Sequence, residues 1–274
     1  MPSLRRYASV LLRRRVPLGT RVGLLRAEVR RRVRPKPAYA LRYGPGTIFL
    51  SHDDYEIDWK SLTFVAADDA YRTDYTGALV LDLGAHKGYY GAHALAHGAR
   101  TVISFEPETV NLELLERSAA SYRELGADWQ VRHSAVGAER GEATLHVMSG
   151  SWAHALHPPD AWSEYEVGVQ PVPVEAMADI LAEAESLKVA HARLVVKVNT
   201  EGEECGIVLG TPADAWSAVS EIFVEVHPWA GCSAVELSEH LAPAGFRELP
   251  SERAPVLRLH RAAEPGSGPR SAPT

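Results

Sequence analysis

The chain has 274 residues, of which 46% are hydrophobic and 23% are charged, and its formal net charge is −6 at pH 7. This composition is typical of a globular protein that buries a substantial core in one large domain or two small ones. No apolar run approaches the roughly 18 residues of a membrane-spanning helix, so we expect no such helix.

The N-terminal segment is strongly basic. Residues 1–36 hold twelve Lys and Arg side chains and one acid, Glu28, so they carry +11 while the rest of the chain carries −17. We therefore predict a basic arm over residues 1–40. Three destinations remain open for it: an anionic membrane surface, an acidic partner, or the acidic body of the chain itself. An acidic body argues against nucleic-acid binding.

Beyond the arm, the pattern alternates between strands and helices. Residues 43–50 are predicted to form a strand or hairpin that turns at Gly44-Pro45-Gly46, and residues 53–75 a helical lead-in. From residue 79 the alternation indicates an α/β fold with a mostly parallel sheet. Predicted strands are 79–83, 101–105, 129–136, 143–148, 169–174, 194–198 and 222–226, predicted helices are 88–97, 109–125, 177–187 and 202–209, and segments 235–241, 246–249 and 256–259 close the fold. This domain spans residues 41–262, and residues 263–274 are predicted to be a disordered tail.

The two cysteines, Cys205 and Cys232, make no disulfide framework and no C-x-x-C pair. A reducing cytoplasm is the simplest interpretation. If the basic arm binds a membrane surface, we expect a cytoplasmic protein in peripheral contact with that membrane.

The most informative segment is the predicted strand 79–83 with the residues that follow it. The strand runs into Asp82, Gly84 and Gly88, which together give the pattern D-x-G-x-x-x-G. Glycine lacks Cβ and lets the backbone turn sharply and approach a ligand closely. Dinucleotide folds instead use G-x-G-x-x-G, and an acid just before the loop would repel a pyrophosphate. A nicotinamide oxidoreductase is therefore disfavoured.

A second acid marks the next strand tip. Glu106 ends strand 101–105 and follows Asp82 by 24 positions, close to the roughly 20 residues expected for an acid that binds a ribose. A carboxylate can accept hydrogen bonds from both ribose hydroxyls. S-adenosylmethionine (SAM) has a ribose, no phosphate, and an amino group and a sulfonium that suit a carboxylate at Asp82, directly or through water. The sequence therefore predicts a SAM site.

Further candidates lie at the other strand tips, because open parallel sheets bind ligands beyond the carboxyl ends of their strands. Ser134 and the backbone at Ala135 are candidates for the adenine edge. Asn199 could position a substrate oxygen and Glu201 could accept a proton. His227 ends strand 222–226 and is a candidate general base, because histidine titrates near neutrality. The loop 149–168, with Trp152 and other aromatic side chains, is expected to help form the acceptor pocket.

We expect no bound metal. His93 and His97 lie four residues apart on a predicted helix, which is a zinc-binding spacing. No third ligand is evident near them, and no Glu sits between them in the metalloprotease arrangement.

Four segments together resemble the FkbM family of SAM-dependent methyltransferases. They are residues 80–90 (VLDLGAHKGYY), 102–107 (VISFEP), 134–137 (SAVG) and 196–204 (VKVNTEGEE), with 223–227 (FVEVH) behind the last. The resemblance implies a class I methyltransferase fold, Rossmann-like, with a mostly parallel sheet and helices on both faces. It also implies O-methylation of a hydroxyl on a natural product or sugar. The candidate cofactor-binding residues are Asp82, Gly84, Ala85, Gly88, Tyr89, Glu106, Pro107, Ser134 and Ala135.

One position departs from the family pattern. The family usually has Lys-Ile-Asp-x-Glu-Gly, and the position of the aspartate is Asn199 here. An amide cannot act as a base, so either another group accepts the proton or the activity has changed. A catalytically degenerate SAM-binding module is therefore kept as the alternative to an enzyme. The sequence does not give the oligomeric state.

Overall fold

A computed structural model of the chain describes residues 18–33, 36–187, 191, 193–251 and 253–261. The first 17 residues of the predicted arm and the predicted tail over residues 263–274 lie outside the described residues. In chain order the elements are α1 (Leu18–Val33), β1 (Ala38–Tyr43), β2 (Gly46–Ser51), α2 (Tyr55–Ala66), β3 (Leu79–Leu83), α3 (Tyr89–Ala96), β4 (Thr101–Phe105), α4 (Thr109–Arg123), β5 (Asp128–Arg132), β6 (Ala135–Gly137), β7 (Gly141–Met148), β8 (Glu166–Ala176), α5 (Met177–Leu187), β9 (Leu194–Val198), α6 (Glu204–Gly210), β10 (Glu221–Glu225), α7 (Ala234–Leu241), β11 (Phe246–Leu249) and β12 (Val256–Arg261), with short 3₁₀ helices at Asp160–Tyr165, Ala213–Ala218 and Ala242–Ala244.

The central sheet has seven strands in the order β11-β12-β10-β9-β3-β4-β5. The five strands from β10 to β5 are parallel to one another, and β12 runs antiparallel to both β10 and β11. Parallel strands need crossover connections, and here helices provide them. The sheet is therefore mostly parallel, as predicted.

Helices cover both faces of this sheet. Alternate strand residues point to opposite faces, so Val80 and Val102 pack in one core cluster with side chains of α2, α3 and α4. Leu81 and Ile103 pack in a second cluster with side chains of α5, α6 and α7. Two apolar layers around one sheet confirm the Rossmann-like fold class.

The predicted third strand, residues 129–136, is wrong as a single strand. β5 ends at Arg132 at the edge of the central sheet, and β6 begins at Ala135 in a separate three-stranded sheet of order β6-β8-β7. His133 and Ser134 connect the two sheets. A continuous pattern of extended residues does not reveal where the pairing partner changes, so the sequence could not locate this break.

The described part of the basic arm packs against its own chain. In α1, the Thr20 hydroxyl donates to the Arg42 carbonyl of β1 at 3.1 Å, and Ala27 is buried. On the opposite side of the helix Val22, Val29 and Val33 are exposed. Within the described residues, no helix has the length and apolar character needed to cross a membrane.

The interpretation of the cysteines is wrong. Cys205 in α6 and Cys232 before α7 form a disulfide, with 5.8 Å between their Cα atoms. Their separation of 27 residues gives no local signal of pairing. The cysteines therefore no longer support a reducing compartment.

Candidate functional site

A cavity of about 700 Å³ opens beyond the carboxyl ends of β3, β4, β9 and β10. Its volume lies within the range of ligand pockets. Most of the candidate residues from the sequence line it, namely Gly84, Ala85, Tyr89, Glu106, Pro107, Ser134, Ala135, Asn199 and Glu201. Asp82, Gly88 and His227 do not line it.

Asp82 is turned away from the cavity. Its side chain is fully buried and accepts a hydrogen bond from Lys197 Nζ at 3.0 Å. Lys197 also donates to the carbonyls of Leu83 at 3.2 Å and Gly84 at 2.7 Å. Asp82 therefore does not line the cavity, because its carboxylate pairs with the buried Lys197 ammonium, and its predicted contact with a cofactor, directly or through water, stays a prediction. The acid instead helps Lys197 to hold the loop after β3.

Backbone conformation and close packing explain the two glycines of the motif. Gly84 has φ of +72°, and a Cβ placed on it would lie 1.8 Å from the carbonyl oxygen of Asn199. Gly88 has φ of +86° and precedes α3, and its added Cβ would meet Leu115 at 2.7 Å and Trp129 at 3.0 Å. Both positions favour glycine by conformation and by contact.

We expect Gly84→Ala to lower the free energy of unfolding by roughly 2–5 kcal/mol, since it adds a left-handed non-glycine residue and a clash with backbone. The matched control is Gly126→Ala, where φ is +87° but, apart from its two chain neighbours, no described residue has an atom within 4 Å of the added Cβ. Urea unfolding of both variants separates the clash from the conformational cost. Equal losses in the two variants would show that the contact with Asn199 contributes nothing.

Glu106 lies on the cavity wall and is almost completely buried. Its carboxylate accepts the backbone N–H of His86 at 2.7 Å and of Glu108 at 3.0 Å. Burial raises the pKa of Glu106 to about 8, although these two N–H groups favour the ionised form. The two donors fix the position of the carboxylate and leave further lone pairs for a ligand.

Ser134 and Ala135 lie beside this acid at the break between the two sheets. The Ser134 hydroxyl donates to Glu175 Oε1 at 2.7 Å. Because the Ser134 hydroxyl proton is engaged in this hydrogen bond, the Ser134 oxygen can only accept a hydrogen bond from a ligand. Pro107 and Ala135 add apolar surface to the same part of the wall.

Residues 149–157, which follow β7, cover one side of the cavity and are named here the roof. The Ser151 hydroxyl contacts Lys87 Nζ at 3.0 Å and His86 Nε2 at 3.1 Å. Lys87 also donates to Asp58 Oδ1 of α2 at 2.6 Å, and both side chains are fully buried. One ammonium thus joins the loop after β3, helix α2 and the roof. Burial raises the pKa of Asp58 to about 6, against the pull of Lys87.

Asn199 and Glu225 meet at the tips of β9 and β10. Asn199 Nδ2 donates to Glu225 Oε2 at 2.9 Å, and the Tyr71 hydroxyl donates to the same oxygen at 3.0 Å. Because an ionised carboxylate only accepts, this contact fixes the orientation of the Asn199 amide. In the part of the chain that the structure describes, its buried Oδ1 has no hydrogen-bond partner. Asn199 thus lies on the cavity wall with an unsatisfied buried acceptor.

Glu201, His227 and Glu204 form a row that leads from the core to the cavity. Glu201 lines the cavity, and its Oε2 lies 3.5 Å from His227 Nε2. His227 Nδ1 donates to Glu204 Oε1 at 3.0 Å. Glu204 is fully buried and also accepts the backbone N–H of Thr200 and of Gly202, each at 3.0 Å.

The surroundings shift the pKa values of Glu201 and His227 in this row. Burial raises the pKa of Glu201 to about 8, although the charge of His227 opposes the shift. Burial alone would lower the pKa of His227, but the hydrogen bond to Glu204 and the charge of Glu201 outweigh it, so the pKa of His227 is raised. Because Glu201 lies between His227 and the cavity, it is the group of the row placed to receive a proton there.

The sequence missed three residues of this site. Tyr71, Asp58 and Asn111 all lie outside the motifs, and their contacts join positions up to 154 residues apart. No local pattern signals such pairings. Among the described residues, no group of three or more His, Cys, Asp or Glu side chains is arranged to hold a metal ion.

Comparison with solved structures finds methyltransferases. The chain is similar to the crystal structure of methyltransferase FkbM from Methylobacillus flagellatus KT, with 15% sequence identity, 69% of this chain and 44% of that chain covered, and a TM-score of 0.47. It is also similar to a SAM-dependent methyltransferase from Agrobacterium tumefaciens, with 9% identity, 82% of this chain and 69% of that chain covered, and a TM-score of 0.40. A third similar structure is the SAM-bound magnesium protoporphyrin IX methyltransferase from Synechocystis PCC 6803, with 12% identity, 76% of this chain and 79% of that chain covered, and a TM-score of 0.37. The chain thus spans less than half of the length of the FkbM structure.

No family model matches the chain, and no curated protein matches it either.

Proposed function

We propose that the protein is a SAM-dependent methyltransferase. The observation that carries the proposal is Glu106, a buried carboxylate on the cavity wall at the tip of the second sheet strand, held in place by two backbone N–H groups. Such a carboxylate is suited to a ribose diol, and the loop before it lacks the pattern that binds a pyrophosphate.

The residues around Glu106 fit the rest of the cofactor. The apolar wall with Pro107 and Ala135 suits a purine, and the backbone of Gly84 and Ala85 borders the cavity near the tip of β9. The buried acceptor Asn199 Oδ1 has no hydrogen-bond partner among the described residues and can accept from an ammonium or a hydroxyl. When bound, SAM supplies a methyl group on an electrophilic sulfonium.

The finer proposal is O-methylation of a hydroxyl on a small molecule, a natural product or a sugar. The Glu201 carboxylate would take the hydroxyl proton as the oxygen acquires the methyl group, and S-adenosylhomocysteine (SAH) would leave with the sulfur's electron pair. His227 does not line the cavity, so we assign it as a positioning residue that holds Glu201 and is itself held by Glu204. Positioning together with one base is sufficient for this reaction.

A degenerate binding module is the second candidate, and Asn199 is the observation that favours it. The amide removes a carboxylate from the tip of β9, but the carboxylates of Glu201 and Glu225 still line the cavity. A proton acceptor is therefore present, which supports the enzyme over the module.

Two measurements test the proposal. Titration calorimetry of the full chain with SAH should show saturable binding, and incubation with cell extract and methyl-labelled SAM should give a labelled product with an added CH₂. Absence of SAH binding would overturn the proposal. Tight SAH binding with no product across a wide acceptor panel would favour the module.

The pKa of Glu106 predicts how SAH affinity depends on pH. The hydroxyl donors of a ribose bind the ionised carboxylate, whose population rises with pH until the pKa of about 8 is passed. SAH affinity should therefore increase from pH 6 to pH 9, by roughly tenfold per pH unit at the acidic end. Glu106→Gln should bind SAH more weakly at pH 9 and lose this dependence in calorimetry. A flat profile in the unsubstituted protein would contradict the assignment of Glu106.

Contact of the basic arm with a membrane surface or an acidic partner stays a prediction. The described part of the arm, α1, adds only that its outer side exposes valines at 22, 29 and 33.

A further inference from the structure

Helix α1 presents one side to its own chain and the other side to solvent. On the packed side, Ala27 belongs to the first core cluster, and the Thr20 hydroxyl donates to the Arg42 carbonyl of β1 at 3.1 Å. Gly23 lies against β1 as well, since a Cβ added there would be 2.5 Å from Leu41 Cδ1. These contacts attach α1 to the hairpin on one side, so its opposite side is held at the surface of the molecule.

The outer side of α1 carries a row of apolar side chains. Val22, Val29 and Val33 are 39%, 60% and 70% exposed. Their spacing of seven and four residues places all three within about 40° of one another around the helix, over a length of about 16 Å. A single exposed valine needs no explanation, but a row of three along one side is the pattern of a contact face.

The same helix is strongly basic. Its sequence includes five arginines and one glutamate, a net charge of +4, and residues 1–36 together carry +11. The glutamate, Glu28, is buried and pairs with Arg31 at 3.3 Å, so it offers no negative charge to the outer side. Arg26 lies within the row of valines and is exposed, and so is Lys36 just beyond the end of the helix. The outer side therefore combines apolar surface with positive charge.

We infer that this outer side of α1 binds an anionic lipid surface. Apolar side chains of an interfacial helix enter the boundary between the headgroups and the acyl chains, while its Arg and Lys side chains are attracted to anionic headgroups. The rest of the chain carries −17, so the same headgroups repel it and α1 is left as the point of contact. An acidic protein surface would satisfy the arginines but would leave the valines in water. The inference does not depend on the proposed methyl transfer.

The first test is sedimentation of the full chain with vesicles. Vesicles of phosphatidylcholine with about 30% phosphatidylserine should bind the chain, and phosphatidylcholine alone should bind it roughly 10-fold more weakly or less. Added salt should weaken binding to the anionic vesicles, because it screens the headgroup charge. No binding to the anionic vesicles at low salt, or equal binding to both kinds, would overturn the inference.

The second test asks whether α1 is the contact. Combining Val22→Ser, Val29→Ser and Val33→Ser keeps every charge, and serine is about as compatible with a helix as valine. This α1 variant should bind the anionic vesicles roughly 10-fold more weakly, because the three side chains no longer enter the bilayer. Circular dichroism checks that the variant is folded.

The matched control makes the same change at three exposed valines on other elements. Val167→Ser and Val169→Ser lie in β8, and Val235→Ser lies in α7. The triple control variant should bind the anionic vesicles like the unsubstituted chain. An equal loss in the two variants, or no loss in the α1 variant, would overturn α1 as the contact face.

Other occupants of this face would give different results. Polyglutamate that binds as tightly as the anionic vesicles, with the same loss in the α1 variant, would replace the lipid by an acidic protein partner. Sedimentation velocity without vesicles should give the same mass for the unsubstituted chain and the α1 variant. A dimer that the α1 variant dissociates would assign the face to a second copy of the chain and overturn the lipid surface.

Discussion

Glu201→Gln is expected to lower the rate of methyl transfer by roughly 10²- to 10⁴-fold, the usual contribution of a general base. The substitution keeps the size of the side chain and removes the only group of the Glu204–His227–Glu201 row that lines the cavity. The affinity for SAH should stay within about threefold, because the proton is accepted only during turnover. The measurement is kcat with an acceptor found by methyl labelling, together with SAH calorimetry.

Glu203→Gln controls for a change of charge at the cavity. Glu203 is paired with the exposed imidazole of His157 rather than with His227. Its kcat should remain close to that of the unsubstituted protein. His227→Gln should shift the pH–rate profile by removing the imidazole that faces Glu201. An unchanged kcat in Glu201→Gln would transfer the role of base to Glu225, the neighbouring carboxylate.

Lys87→Met is expected to lower the free energy of unfolding by roughly 3–5 kcal/mol, the typical cost of removing one partner from a buried ion pair. The methionine fills the same space but leaves Asp58 without its ammonium in a fully buried place. Ser151 loses a donor at the same time, so the roof loses one of its attachments. Urea unfolding monitored by circular dichroism measures the loss.

The pH dependence of the stability loss and a double variant show whether the broken ion pair causes that loss. The pKa of Asp58 is already about 6 with Lys87 present, and removal of the ammonium raises it further. A protonated carboxyl needs no counter-charge, so the penalty of Lys87→Met should be smaller at pH 5 than at pH 8. Lys87→Met combined with Asp58→Leu should recover most of the stability. A double variant no more stable than the single one would show that the ion pair is not the cause.

Much of the sheet could be predicted because buried parallel strands are continuous apolar runs bounded by turn residues. Strands β3, β4 and β9 have the predicted bounds, and so does helix α5. The break between β5 and β6 could not be predicted. It depends on which strand each segment pairs with, and pairing partners leave no mark within the segment.

The candidate site was predictable at the level of strand tips but not of side-chain direction. The topology brings Glu106, Asn199 and Glu201 to one cavity, as strand order alone requires. The sequence could not show that Asp82 faces Lys197, 115 residues away, or that His227 lies behind Glu201. Those directions are decided by tertiary charge pairing between elements that are far apart in the chain.

The break at His133 and Ser134 separates the central sheet from the three-stranded sheet. The strand tips of the central sheet place Glu106 and Glu201 at the cavity, while the roof follows β7 of the three-stranded sheet. The segment between β7 and β8 lies outside the central sheet, so a change in its length leaves the pairing of the core strands intact. Changes in the acceptor are therefore expected to require changes in this segment and not in the central sheet.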